Sequence, residues 1–231
     1  MILDCLSKKP FSVVGHRGSS EGYQENTIAA IEHAIKVGAD LVEVDVRSTK
    51  DGVLVLSHDK DLKRVFGMDM LLREVDYKQV KEKLPTLEEV LEVVNGRVCM
   101  LLEIKEADIV DSLVKLIQKL GVQSWCAIIS FDDQTIRMVK ELLPDVITGL
   151  VYAKPPGRIF DAKKLGCKLV VPHWKIATKK ANDKSHQLGL KVIAWTVNDE
   201  ETALECYQRG VDAIATDFPS MLVKLRESLL Q

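Results

Sequence analysis

Short, nearly continuous apolar runs alternate with longer amphipathic stretches along most of the chain, and this rhythm restricts the fold more than any other feature. The runs occupy residues 12–15, 41–46, 98–104, 126–130, 146–151, 169–171, 192–195 and 213–215. They are rich in Val, Ile and Leu, as expected of parallel strands buried on both faces. Helical patterns fall between them at 26–37, 87–94, 109–120, 133–143, 179–188 and 200–209. Glycines at 38, 96, 121, 189 and 210 follow helical stretches, where a left-handed terminal residue suits glycine best.

Eight strands in strict alternation with helices leave two architectures, a closed (β/α)8 TIM barrel or an open doubly wound sheet. The strand count and the length of 231 residues favour the barrel. An open sheet built for a dinucleotide carries GxGxxG after its first strand. Here that strand ends in Gly15-His16-Arg17-Gly18, a different signature. No linker or low-complexity stretch marks a boundary, so residues 1–231 read as a single domain. Residues 60–85 break the rhythm as a polar excursion after the second strand, and residues 53–56 at its approach could form a short strand.

Composition narrows the partners. A formal net charge of −2 gives no electrostatic case for nucleic acid. No apolar stretch approaches the ~20 residues needed to span a bilayer, so stable membrane insertion is not expected. Residues 1–10 lack a long apolar segment of the signal-peptide kind. The five cysteines are odd in number and form no CxxC pair. Cys99, Cys126 and Cys167 lie in or beside apolar runs, where a free cysteine acts as a small hydrophobe. Unpaired cysteines and a reducing, cytoplasmic setting are the expectation. Nothing in the surface composition decides the oligomeric state.

In a barrel the functional face is the C-terminal end of the strands, so polar residues there carry the chemistry. The first strand ends in His16 and Arg17. The second holds Glu43 and Asp45 two apart, hence on one side of the sheet. The third holds Glu103 and Lys105 in the same relation, the seventh ends in Trp195, and the eighth leads to Thr216 and Asp217. Three carboxylates inside apolar strands are costly unless paired or metal-bound. They could be neutralised by Lys105 and Arg17 alone, or they could hold a hard divalent ion such as Mg2+ or Ca2+. His16 and His58 are the acid–base candidates, with Asp59 placed to orient His58. Arg17 offers two parallel hydrogen bonds to a phosphate, and Lys105 a point charge. Glu25 or Asn26 could brace His16 or Arg17. His33 and His186 fall in helical patterns and are read as ordinary residues, while His173 sits at a strand end and could reach the pocket.

The motifs GHRGSS at 15–20, ENT at 25–27, EVDVRSTKDGVLVLSHD at 43–59, LEIK at 102–105, SF at 130–131, WTVN at 195–198 and GVDAIATDFP at 210–219 occur in that order. Together, over about residues 13–219, they resemble the glycerophosphodiester phosphodiesterase family. The resemblance implies a TIM barrel that hydrolyses glycerophosphodiesters to glycerol 3-phosphate and an alcohol, in glycerol and lipid metabolism. It implies one divalent cation, Mg2+ or Ca2+ with Mn2+ as a further option, on Glu43, Asp45 and Glu103. His16 and His58 would be the acid and base, in either order, with Arg17 and Lys105 on the phosphate and Trp195 lining the pocket. Gln24 departs from the proline usual before the glutamate, and the excursion is shorter than the insertion some members carry. Alternatives on the same barrel are a lysophospholipase D, a sphingomyelinase-like phosphodiesterase, a catalytically silent phosphoester-binding module, and a metal-dependent enolising enzyme.

Overall fold

The computed structural model describes the whole chain, Met1–Gln231. Nine strands form one sheet, and eight of them close into a parallel barrel. The barrel strands are β1 (Ser12–Gly15), β2 (Leu41–Ser48), β4 (Cys99–Ile104), β5 (Cys126–Ser130), β6 (Ile147–Tyr152), β7 (Leu169–Pro172), β8 (Lys191–Ala194) and β9 (Ala213–Thr216). Closure comes from β1, which pairs in parallel with β2 on one side and with β9 on the other. Strand β3 (Leu54–Leu56) is the extra one, and it folds back antiparallel on the C-terminal half of β2.

Seven helices follow barrel strands directly or after a short connection: α2 (Ile28–Lys36), α5 (Val110–Leu120), α6 (Asp133–Leu142), α7 (Ile159–Lys164), α8 (Lys179–Gln187), α9 (Glu200–Gln208) and α10 (Pro219–Ser228). Helix α4 (Leu87–Val94) completes the ring after the excursion. The sequence rhythm anticipates most of these, but α7 and α10 are additions. Helix α7 has only six residues and follows Pro155-Pro156-Gly157, too short a span to show a helical period. Residues of one parity in each strand face the helices; Val42, Val44 and Val46 of β2 are fully buried there. Residues of the other parity face the interior. No helix is long and apolar enough to cross a membrane.

The excursion holds a four-residue helix, α3 (Lys63–Phe66), and two 3-10 turns. It reads as polar in the sequence, yet Leu62, Leu72, Val75, Val80 and Leu84 gather with Val55 into a small core of their own. At the opposite end of the barrel, helix α1 (Ile2–Cys5) buries Ile2, the following Leu6 is buried too, and the helix is joined to the foot of β4 by a Cys5–Cys99 disulfide. The expectation of five unpaired cysteines fails for this pair. A partner 94 residues away is brought into reach only by the folding of the N-terminal segment under the barrel. Cys126, Cys167 and Cys206 remain free and buried.

Candidate active site

The loop after β1 is shaped by two glycines that tolerate nothing larger. A Cβ on Gly15 would lie 2.4 Å from the carbonyl oxygen of Gly18, and one on Gly18 would lie 2.7 Å from the backbone of Ala30. Gly18 also has φ +89°, and Arg17 between them adopts a left-handed φ of +53°. This turn exposes the Arg17 amide, which donates to Oε2 of Glu43 at 3.0 Å. It also aims His16 into the barrel mouth.

Strand register gathers the carboxylates. Asp45 of β2 lies directly beside Glu103 of β4, and Glu43 is two residues below on the same face. Ligand atoms from Glu43, Asp45 and Glu103 all fall within 4.8 Å of one another, and all three residues are buried. Lys105 bonds Asp45 at 2.8 Å and also contacts Glu103, while the Arg17 guanidinium lies 3.2 Å from Asp45. Asn26, itself at a left-handed φ of +57°, holds Asp45 through both ends of its amide, at 2.9 and 3.1 Å. The two cations thus favour Asp45. Its carboxyl stays below the ordinary aspartate value because Lys105 and Arg17 outweigh the effect of burial.

Glu43 is less well served. Its Oε1 is buried with no hydrogen-bond partner, and burial, together with the charges of Asp45 and Glu103, raises its pKa to about 8. Burial raises Glu103 too, against the pull of Lys105. Two side-chain cations therefore leave the cluster incompletely neutralised. An orphaned carboxylate oxygen among three converging carboxylates is what an oxygen-preferring divalent ion would satisfy, so the residues fit such an ion.

Both candidate histidines are held in the same way. His16 Nδ1 lies 2.7 Å from Oδ1 of Asp217, and His58 Nδ1 lies 2.7 Å from Oδ1 of Asp59. With Nδ1 engaged, Nε2 is the nitrogen left to exchange a proton in each ring. Burial alone would lower the pKa of His16, but the bond to Asp217 and the charge of Glu43 raise it overall. Asp217 is fixed in turn by Asn198, whose amide donates to Oδ2 at 2.6 Å and accepts from the Asp217 amide at 2.9 Å.

These groups ring the polar side of a cavity of about 110 Å3 inside the barrel mouth. Its floor takes one apolar residue from nearly every strand: Val14, Leu101, Ile129, Val151, Val171, Ile193 and Ala215. Its polar wall is His16, Arg17, Glu43, His58, Glu103 and Lys105, and Trp195 and Phe131 complete the lining. Asp45 sits behind this wall, 1% exposed. Trp195 is anchored by a 2.7 Å bond from its indole N–H to the Val171 carbonyl, and Phe131 meets it edge-on.

The braces differ in part from expectation. Glu25 does reach Arg17, at 3.1 Å, and the Asn26 backbone N–H donates to the Arg17 carbonyl at 2.9 Å, while the Asn26 side chain braces Asp45 rather than His16. His173 is absent from the cavity wall and packs edge-on behind Trp195. His33 bonds Ser19 and His186 bonds Asp212, each from within a helix. Asp217, Asn198 and Arg64 had no role assigned from sequence. Arg64 of α3 gives two hydrogen bonds to Glu25, at 2.6 and 2.9 Å, and one to Asp59, at 2.6 Å. Only the position of Asp217, just beyond the last strand, hinted at its contact.

A closed (β/α)8 barrel with two carboxylate-anchored imidazoles, two cations and an acidic cluster at its C-terminal mouth has the constitution of a hydrolytic barrel enzyme. The model of the glycerophosphoryl diester phosphodiesterase family matches residues 16–221. A glycerophosphodiester phosphodiesterase of Bacillus altitudinis is 30% identical over 94% of this chain and 98% of its own. One of Caldanaerobacter subterraneus is 29% identical over 92% and 96%. The structure of an Oleispira antarctica phosphodiesterase in complex with the product sn-glycerol-3-phosphate superposes with a TM-score of 0.87, at 27% identity over 95% of this chain and 97% of that one. The chain belongs to the glycerophosphoryl diester phosphodiesterase family, and it is a phosphoric diester hydrolase.

Proposed function

We propose that the chain hydrolyses glycerophosphodiesters to glycerol 3-phosphate and an alcohol with a divalent cation held by Glu43, Asp45 and Glu103, and with His16 and His58 as the acid–base pair. Mg2+, Ca2+ and Mn2+ all suit an all-carboxylate set. When bound, the ion supplies positive charge that stabilises the phosphoryl oxygens as charge gathers on them. Arg17 and Lys105 add to that charge, and their ion pairs with Asp45 fix them before substrate arrives. His16 acts as base through Nε2 and withdraws a proton from the nucleophile, with Asp217 stabilising the imidazolium that forms. The glycerol 2-hydroxyl is the natural nucleophile in such a substrate, giving a cyclic phosphate that water then opens. His58 protonates the departing alcohol, oriented by Asp59. Trp195 and Phe131 pack against the substrate. The observation carrying this reading is the convergence on one cavity of two imidazoles anchored through Nδ1 and a carboxylate cluster containing an unpartnered buried oxygen.

The test uses metal-stripped protein and glycerophosphocholine. Chelation abolishes turnover, add-back of one of the three ions restores it, and the same ion raises the melting temperature in the absence of substrate. Glu43→Gln loses that thermal response. His16→Ala and His58→Ala each lower kcat by ~10²–10⁴, the usual worth of general acid–base help, while melting as the parent does. Full activity in excess chelator, or near-parental kcat in either alanine variant, overturns the corresponding assignment.

A further inference from the structure

Charge is distributed unevenly along the chain. Residues 150–191 contain ten lysines and arginines against two acidic residues, Asp161 and Asp183, although the whole carries a formal net charge of −2. This segment runs from the end of β6 to the start of β8, and parallel topology puts its strand-to-helix connections at the mouth. Lys154 and Lys175 lie in those connections, and Phe160, Lys180 and Lys184 lie on the helices that follow.

Phe160 is 64% exposed. The ammonium of Lys184 stands 5.4 Å from its ring centroid, and the two share an open groove between α7 and α8 with Lys179 and Lys180. The acidic residues nearby are already taken: Asp183 pairs with Lys179 at 2.7 Å, and Asp161 with Arg158 at 3.0 Å. Helix α8 buries only Asn182 and Ser185, so its lysines serve no core. A bare phenyl ring among unpaired ammonium groups is poorly suited to water alone. It suits the boundary of a bilayer, where the ring enters the headgroup–acyl region and the lysines sit among anionic headgroups.

We propose that the β6–β7 flank of the barrel mouth is a docking surface for an anionic lipid bilayer, with Phe160 entering the interface and Lys154, Lys175, Lys180 and Lys184 facing the headgroups. A nucleic acid would draw on the same charges, but Lys184 already covers one face of the ring on which a base would stack. Edgewise entry into lipid leaves that contact in place.

Co-sedimentation with phosphatidylcholine vesicles, with and without phosphatidylglycerol, tests the assignment, and partitioning is read without turnover, so it stands apart from the reaction assigned to the cavity. The protein binds the phosphatidylglycerol vesicles at low salt and releases as ionic strength rises. K180A/K184A lowers partitioning by about 25-fold, from roughly fivefold per lysine. F160A weakens binding severalfold without changing its salt dependence, and all variants keep the parental melting temperature and glycerophosphocholine turnover. Three results overturn the proposal: no binding to anionic vesicles at low salt, variants that bind as the parent does, or tight binding of single-stranded RNA together with vesicle binding indifferent to F160A.

Discussion

His16 shows how much of a site depends on an atom's second partner. Its imidazole would be depressed by burial, and the Asp217 carboxylate together with Glu43 reverses that. Asp217→Asn keeps the shape but removes the charge and the preference for a proton on Nδ1. Turnover of glycerophosphocholine should then fall by about 10-fold or more, while KM and the metal-induced thermal shift stay near parental values. An equal loss in all three would mean that Asp217 merely holds the loop. The first layer of the site was legible in the sequence because strand periodicity alone puts Glu43 and Asp45, or Glu103 and Lys105, on one face. Asp217 was not, because its contact with His16 crosses 201 positions and depends on which strands become neighbours.

At the scale of elements, helix starts were the easier reading. Asp132 precedes α6 and accepts from the Thr135 hydroxyl and amide, both at 2.8 Å. Those bonds hold its carboxyl below the usual aspartate range. The stabilisation is therefore complete above about pH 4, the unfolded value, and is lost as pH falls through the lower folded value. Asp132→Ala should cost about 1 kcal/mol at neutral pH, and parent and variant should converge in urea titrations at strongly acid pH. A gap that persists there would assign the stability to something other than the charged cap. The excursion was harder to read, since its apolar residues follow neither a two-residue nor a helical period and pack only because the chain doubles back. Its helix α3 presents Arg64, which fastens Glu25, the brace of Arg17, to Asp59, the brace of His58. Arg64→Ala should lower kcat more than it raises KM, and Arg64→Lys should recover only part, since an ammonium cannot reproduce the forked geometry. In a double-mutant cycle Arg64→Ala and Asp59→Ala should be less than additive in kcat; additive losses would show that the two act apart.

For the whole molecule, the barrel was readable from alternation, yet its fastening was not. The Cys5–Cys99 bond closes a loop of sequence separation 94 across the foot of the barrel, and constraining so long a loop restricts the unfolded chain. Cys99→Ser should lower unfolding stability by about 2–4 kcal/mol in non-reducing urea titrations, with the parent matching it once reductant is added. Identical midpoints in the absence of reductant would show the bond to be energetically silent. Closure has another consequence. The seam of the ring is the pairing of β1 with β9, and it is across this seam that His16 meets Asp217. A nascent chain could complete seven strands, together with the acidic cluster, and still hold its proposed base without its partner. Competence would then arrive only when the final strand slots in, so that catalysis itself reports that the ring has closed.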